Sequence, residues 1–352
     1  MNSPAIESAF AAACDRLAPM RSGAALMLGC SAGGDSMALL ELVAGAAPSR
    51  GWRVAVAHFD HAQRPESAQE ATFVAQRCAA LGVGFITGRL EATETDAAPL
   101  SEERLRRARF EFFARAASQT MSDALVLAHQ ADDRAETLVM RLLSGAGPTG
   151  LASIRPIEQI EGLTVVRPLL GMRRAELREF LKSRGVAFID DPTNEDERRK
   201  RVWVRRRAMP FFAERMGRDV TPHLVRAAEL IEEESSALTE ACEALLLQIV
   251  SPAGKEESAS GGIMNRDDFE SLDLDSPIWR GASPGLRRRL LRQWLWRLRR
   301  SPHPPGFEAV AEALRFAEVG AQGARLRTIE RIHLLKEGGR LIAQPPENPG
   351  VR

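Results

Sequence analysis

Gly29-Cys30-Ser31-Ala32-Gly33-Gly34-Asp35-Ser36 is the stretch on which the fold of this chain turns. Apolar Ala25 to Leu28 precede it and Met37 to Val43 follow at helical spacing, giving the order strand, glycine-rich turn, helix. Backbone N–H groups at a helix N-terminus, with the positive end of the helix dipole, form an anion site, and small residues let a phosphate approach the backbone. Ser31 and Ser36 add hydroxyl donors around Ala32, Gly33 and Gly34. Asp35 does not suit a bare anion site: a carboxylate beside phosphate repels it unless a cation bridges them, so Mg²⁺ on Asp35 is expected. The competing reading is a turn that only caps a helix. Gly145 to Gly150 formally repeats a dinucleotide-binding pattern. It follows the helical stretch Glu136 to Leu143 instead of a strand and contains Pro148, so it reads as a helix-terminating loop.

Around this turn, Ala24 to Gly29, Arg53 to Phe59, Val83 to Thr87 and Ala124 to Ala128 read as strands separated by helices. That alternation predicts an α/β fold with a mostly parallel, doubly wound sheet whose ligand sits at the carboxyl ends of the strands. Leu163 to Leu170 is a further apolar run, and Arg173 to Arg184 reads as a helix ending at Gly185. This unit is expected to occupy residues 1–215, followed by a smaller, mainly helical domain over 216–352 with a short C-terminal tail. Its helices are expected from Thr221 to Val250, Pro284 to Arg300 and Phe307 to Glu318, with Ser251 to Gly262 as an exposed linker and a weak hairpin pattern at the end.

Hydrophobic residues form 44% of the 352 and charged residues 27%, which excludes disordered and fibrous classes. No uncharged run exceeds the 13 residues of Ser22 to Gly34, too few for a bilayer span, and the N-terminus lacks a secretory pattern, so a cytoplasmic location without membrane association is expected. Cys14, Cys30, Cys78 and Cys242 are far apart and read as reduced structural thiols, and no metal site built from side chains alone is expected.

The Ser-x-Gly-x-Asp-Ser pattern resembles the PP-loop ATP pyrophosphatase superfamily, whose signature is Ser-Gly-Gly-x-Asp-Ser, with Ala32 where the family has glycine. Four further segments resemble the tRNA(Ile)-lysidine synthase family. His58-Phe59-Asp60-His61-Ala62-Gln63-Arg64 is similar to Val-Asp-His-Gly-Leu-Arg, and Glu103 to Phe110 to its Ala-Arg-x-x-Arg-Tyr helix. Leu127 to Thr137 matches Ala-His-His-x-x-Asp-x-x-Glu-Thr; Val166 to Leu170 and Asp190 to Asn194, then Arg201 and Arg205, resemble the Arg-Pro-Leu-Leu, Asp-Pro-Ser-Asn and arginine-rich elements. Ser144 and Val202 stand where the family has arginine and asparagine. The resemblance implies ATP at the loop with adenine near His58, and Arg106, Arg109 and Arg205 as phosphate or substrate contacts. Asp133 and Glu136, three residues apart on one helix face, can grip an ammonium group, which the resemblance assigns to L-lysine; His129 then faces the nucleotide. Against this stands a solvated acidic turn with Arg134 as its partner.

The implied reaction joins lysine to C2 of the wobble cytidine of CAU-anticodon tRNA(Ile) through an adenylated RNA, releasing pyrophosphate and AMP and changing codon specificity from AUG to AUA. Asp35, His129, Asp133 and Glu136 are then the catalytic candidates, with the proton acceptor either His129 or Asp35. Two basic blocks suit RNA: Arg198 to Arg207 with Trp203, and Arg287 to Arg300 with Trp294 and Trp296. Leu286, Leu290, Leu291, Trp294, Leu295 and Leu298 form one helical stripe, so Trp294 reads as core. The rivals are a tRNA thiolase, which the cysteine spacing disfavours, a small-molecule amidating enzyme, and an RNA-binding protein with an inactive loop. A homodimer is compatible with all of these.

Overall fold

The computed structural model describes residues 3–62, 67–90, 102–152, 154–190, 195–252, 270–299, 304–327 and 332–344. The chain divides into two compact units, Met1–Glu233 and Glu234–Arg352.

In the first unit α1 (Ser3–Asp15) leads into β1 (Ala25–Gly29), α2 (Gly34–Arg50), β2 (Arg53–Asp60), α3 (Ser67–Leu81), β3 (Gly84–Arg89), α4 (Glu102–Thr120) and β4 (Ala124–Leu127). Then follow α5 (Ala131–Leu143), α6 (Pro148–Leu151), β5 (Ile157–Ile160), β6 (Leu163–Val166) and α7 (Arg174–Ser183). The unit ends with α8 (Lys200–Trp203), a π turn at Val204–Ala208, α9 (Met209–Met216) and the first part of α10 (Thr221–Ile249). The strands order as β3-β2-β1-β4-β6-β5, parallel except for the β5–β6 hairpin at one edge. β1 is apolar along its length because both faces are covered. Leu26 and Leu28 face a core shared with α1, α2 and α7 (Phe10, Leu39, Phe180), whereas Met27 faces Phe110 and Phe113 of α4. From β1 the chain winds out through β2 to β3 and returns to β4 on the other side of β1. This reversal opens a crevice above the carboxyl ends of β1 and β4. The turn at 29–36 and the start of α5 lie at those ends.

The predicted strands and sheet class are present. α5 runs into Gly145 at φ 74°, so the second glycine pattern does end a helix. The hairpin of β5 and β6 is an addition: Glu161 and Gly162 both adopt positive φ (50° and 77°), the geometry of a tight two-residue connection. The division between units falls at 233/234, inside α10, and not at 215. The early turns of α10 belong to the first unit because Val225 packs on Ala131 and Ala135, while Arg134 pairs with Glu229 and Glu232.

The second unit holds the rest of α10, β7 (Val250–Pro252), β8 (Glu270–Asp273), α11 (Pro277–Gly281), α12 (Pro284–Arg299), α13 (Phe307–Val319), β9 (Arg325–Arg327), β10 (His333–Glu337) and β11 (Arg340–Gln344). Beside the expected helices it contains an antiparallel sheet in the order β7-β8-β11-β10-β9, of which the sequence pattern indicates only the last hairpin. Trp294 is fully buried with Leu290, Leu291 and Leu298, and its indole N–H donates to Glu270 at 3.1 Å, so it is core. The expected linker begins inside β7, and its residues 253–262 lie outside the described residues. No described helix is long and apolar enough to cross a membrane. All four cysteines are free and buried, and burial pushes the thiols of Cys14 and Cys78 up to about 12.

Candidate active site

The turn after β1 is held by its own hydroxyls. Ser36 Oγ accepts from the Ser31 N–H at 3.1 Å and donates to the Gly33 carbonyl at 2.9 Å, which closes the loop over the start of α2. The first-turn N–H groups of α2 have no partner within the helix and face the crevice as an anion site. The residue that turns the chain is Ala32, at φ 61° and fully buried, with its carbonyl accepting from the Ile189 N–H at 3.0 Å. Ala62, the other alanine standing where the family motif has glycine, is also left-handed, at φ 52°. A left-handed alanine costs about 1–2 kcal/mol. Glycine would relieve that cost but lose a buried methyl, about 0.8 kcal/mol, and add unfolded-state entropy of about 0.5–1 kcal/mol. Ala32→Gly is therefore expected to leave Tm within about 3 °C and the KM for ATP within about twofold. A tenfold gain in kcat/KM instead shows that alanine impairs the loop.

Above the turn lies a cavity of about 460 Å³. The loop forms its floor, His58 and His61 from the end of β2 and Arg109 of α4 one wall, and His129, Arg174 and Arg205 the other. Four polar atoms of its lining residues are buried and have no hydrogen-bond partner: Asp35 Oδ1, His58 Nε2, His61 Nδ1 and Arg109 Nε. Unpaired buried polar groups are costly, and a ligand that pairs them removes the cost. His58 Nδ1 lies 2.9 Å from the Cys30 carbonyl, which can only accept, so Nδ1 carries the proton and Nε2 offers a lone pair to a ligand donor. Burial raises the Asp35 carboxyl above its usual range, opposed by Arg174, whose Nε is 3.6 Å from Oδ2. A half-satisfied carboxylate with one free buried oxygen at a phosphate loop fits a divalent cation shared with phosphate oxygens. Among the described residues no cluster of three or more acidic, His or Cys groups competes with that arrangement.

His129 lines the cavity, but its Nδ1 accepts from Arg167 Nε at 3.2 Å. The ring proton is thus on Nε2, and burial together with Arg167 pulls the imidazole pKa down to about 3. With no lone pair left toward the cavity, His129 is a donor, which leaves it poorly suited to the base role read from sequence. Because its folded-state pKa is depressed from 6.5, the neutral ring stabilises the fold fully above about pH 6.5, and that contribution is lost as pH falls toward 3. His129→Asn, whose Oδ1 replaces Nδ1 as acceptor, is expected to flatten the stability loss between pH 7 and 5 by about 2 kcal/mol, measured by denaturant titration at each pH.

Asp133 and Glu136 share a face of α5, as predicted, but they meet three guanidinium groups and not open solvent. Arg205 holds Glu136 at 2.8 and 3.1 Å, Arg201 at 3.2 Å and Arg174 at 3.3 Å. Asp133 lies 3.1 Å from Arg174 and from Arg201. Glu136 is 1% exposed. The solvated-turn reading is therefore excluded, and Arg134 is not the partner, since it turns away to Glu229 and Glu232. Neither carboxylate forms the cavity wall; Arg174 and Arg205 stand between them and the space. Arg106 is exposed and does not line the cavity. Arg174, which touches Asp35, Asp133 and Glu136, was not read as a site residue. Its only sequence signal is its place at the start of a helix after Arg167 to Leu170. Gln63, Arg64 and Asp191 to Asn194 of the quoted motifs lie outside the described residues.

A family model described as a PP-loop domain matches residues 6–212. A tRNA(Ile)-lysidine synthase of Leifsonia xyli is 34% identical over 78% of this chain and 76% of that protein, and one of Chlamydia pneumoniae is 34% identical over 66% and 70%. One of Ruegeria pomeroyi is 39% identical over 61% of this chain, and there the match spans only 51% of the relative's length. The solved U34-tRNA thiolase NcsA of Methanococcus maripaludis, with its [4Fe-4S] cluster, superposes with a TM-score of 0.55 at 13% identity, over 65% of this chain and 78% of that one, a likeness of fold alone. The loop, the orphaned carboxylate oxygen above it and this extent of shared sequence agree: the chain belongs to the tRNA(Ile)-lysidine synthase family of PP-loop proteins.

Proposed function

We propose that this chain is a ligase that uses ATP to join L-lysine to C2 of the wobble cytidine in CAU-anticodon tRNA(Ile), with release of pyrophosphate and AMP. The observation that carries the reading is one cavity lined by a phosphate loop with the free Asp35 oxygen and by Arg174 and Arg205, the two arginines that bind the Asp133–Glu136 pair outside it.

In the first step the cytidine O2 oxygen attacks the α-phosphorus of ATP and the bond to pyrophosphate breaks. The loop N–H groups hold the departing phosphates; Asp35 is the residue that would hold Mg²⁺, which would supply neutralisation of phosphate charge. His129 donates its Nε2 proton as a hydrogen bond into the site. The adenylated oxygen then leaves with AMP as a neutral lysine amine attacks C2 and gives up a proton. Lysine carries a second ammonium and a carboxylate, and the alternating carboxylate and guanidinium groups of Asp133, Glu136, Arg174, Arg201 and Arg205 suit that zwitterion. An ammonium reaches Glu136 only by displacing one of its arginine partners. With His129 engaged by Arg167, Asp35 and His58 Nε2 are among the proton acceptors available at the cavity.

The reading is tested with purified protein, ATP, Mg²⁺, lysine and CAU-anticodon isoleucine tRNA, scored by the mass of the modified cytidine. A gain corresponding to lysine minus water is expected, and none without ATP. An unmodified cytidine in the complete reaction rejects the proposal.

A further inference from the structure

Arg201 and Arg205 reach inward to Glu136 from the segment Lys200–Met216, and the opposite side of that segment is exposed. Trp203 is 47% exposed and Phe211 53%, although both are large apolar rings in a well-packed unit. In an unbroken α-helix, eight residues at about 100° each would leave these rings about 80° apart around the axis. The π turn changes this. The Met209 N–H bonds to the Val204 carbonyl, five residues back, so one residue is absorbed and the offset falls to about 20°. Arg207 sits midway between the rings on the same exposed side, and Arg215 stacks over Phe211 at 5.5 Å. The result is a row of ring, guanidinium, ring, guanidinium, with Trp203 and Phe211 about 11 Å apart along the axis, roughly three stacked-base rises.

Apart from an edge contact of Phe211 with Phe212 at 6.0 Å, the described core does not use these rings, because Val202, Val204 and Ala208 already fill the buried side of the same segment. The charge around it points to a polyanion. Arg198, Arg199, Lys200, Arg201, Arg205, Arg206 and Arg207 outnumber Glu195, Asp196 and Glu197, which pair with Arg198, Arg206 and Arg207 at its rim. Rings that stack on any base, interleaved with arginines that neutralise phosphate, match unpaired nucleotides and not a duplex, whose bases are already stacked. The inner side of this segment lines the cavity through Arg205, so a strand crossing its outer side lies about one helix width, roughly 10 Å, from the site a base would enter.

We infer that Trp203, Arg207, Phe211 and Arg215 form a stacking face for the unpaired loop nucleotides next to the base that enters the cavity. The inference rests on the proposed reaction for its choice of RNA, and its test is separable from that reaction. Full-length W203A, F211A, the double variant and W203F are compared for KM toward tRNA and toward ATP, for thermal stability, for mass in solution, and for direct binding of a CAU stem-loop RNA against the same stem fully base-paired. Each alanine is expected to weaken loop RNA binding and raise the tRNA KM about tenfold, and the double variant more. The KM for ATP and the Tm should hold, and W203F should retain most of the affinity because it keeps a ring. A double variant that binds the loop RNA as the wild type does overturns the inference, as does a change from dimer to monomer, which assigns the face to a second copy. If the wild type ligates no lysine yet the double variant loses loop RNA binding, the reaction falls and the face stands.

Discussion

Asp35→Ala is expected to lower adenylation roughly 10³-fold or more, from loss of about 4 kcal/mol of phosphate and cation stabilisation, while tRNA binding stays near wild type. Stability should move the other way. Burial holds the Asp35 carboxyl above its ordinary pKa, so the charged form is disfavoured by folding and its removal relieves the folded state at neutral pH. Arg174 does not become an orphan, because Asp133 at 3.1 Å and Glu136 at 3.3 Å still hold it. The variant should therefore melt at or above the wild-type temperature with its activity gone. Loss of Tm or of tRNA binding in step with activity would mean that Asp35 shapes the loop and does not serve the chemistry.

The second large effect is at Glu136. One nearly buried carboxylate there answers three guanidinium groups, and Glu136→Gln leaves Arg174, Arg201 and Arg205 to Asp133 and Asp35. Breaking a buried pair on one side costs about 3–5 kcal/mol, and partial exposure of Arg201 and Arg205 brings the expectation to about 3 kcal/mol. For a unit of this size that lowers Tm by about 6–12 °C. The KM for lysine should rise with it, whereas the KM for ATP should change little. Combining Glu136→Gln with Arg205→Gln should recover part of the lost stability, since the excess positive charge is reduced. A single variant within about 0.5 kcal/mol of wild type contradicts this account of the cluster.

Local features of the chain are legible in its sequence. The loop at 29–36 is announced by an apolar strand, small residues and a helical pattern in direct succession, and the stripe of Leu290, Leu291, Trp294 and Leu298 is announced by its 3.6-residue period. Ala32 identifies itself as the turning residue only because a glycine is expected there, and its φ of 61° bears that out. What escapes the sequence is long-range pairing and short edges. Glu136 finds its three arginines 38, 65 and 69 residues away, across several elements, and nothing in the local pattern of Arg174, Arg201 or Arg205 names that partner. The carboxylates therefore read as an open ammonium grip, and the structure fills that grip with guanidinium groups. β7, β8 and β9 are three or four residues long, below the length at which alternation is distinguishable from a loop, and β5 ends at a left-handed glutamate where a turn residue is expected. The π turn leaves no compositional trace, yet it aligns Trp203 with Phe211.

The central claim is that the activated species is the RNA base. The most direct measurement incubates the protein with ATP labelled at the α-phosphate, Mg²⁺ and CAU-anticodon isoleucine tRNA, without lysine, and follows the label. The account predicts label on the RNA and release of pyrophosphate, then discharge of the label as AMP when lysine is added. Label that never joins the RNA, or a labelled lysine adenylate formed when lysine is supplied and the tRNA is withheld, contradicts it.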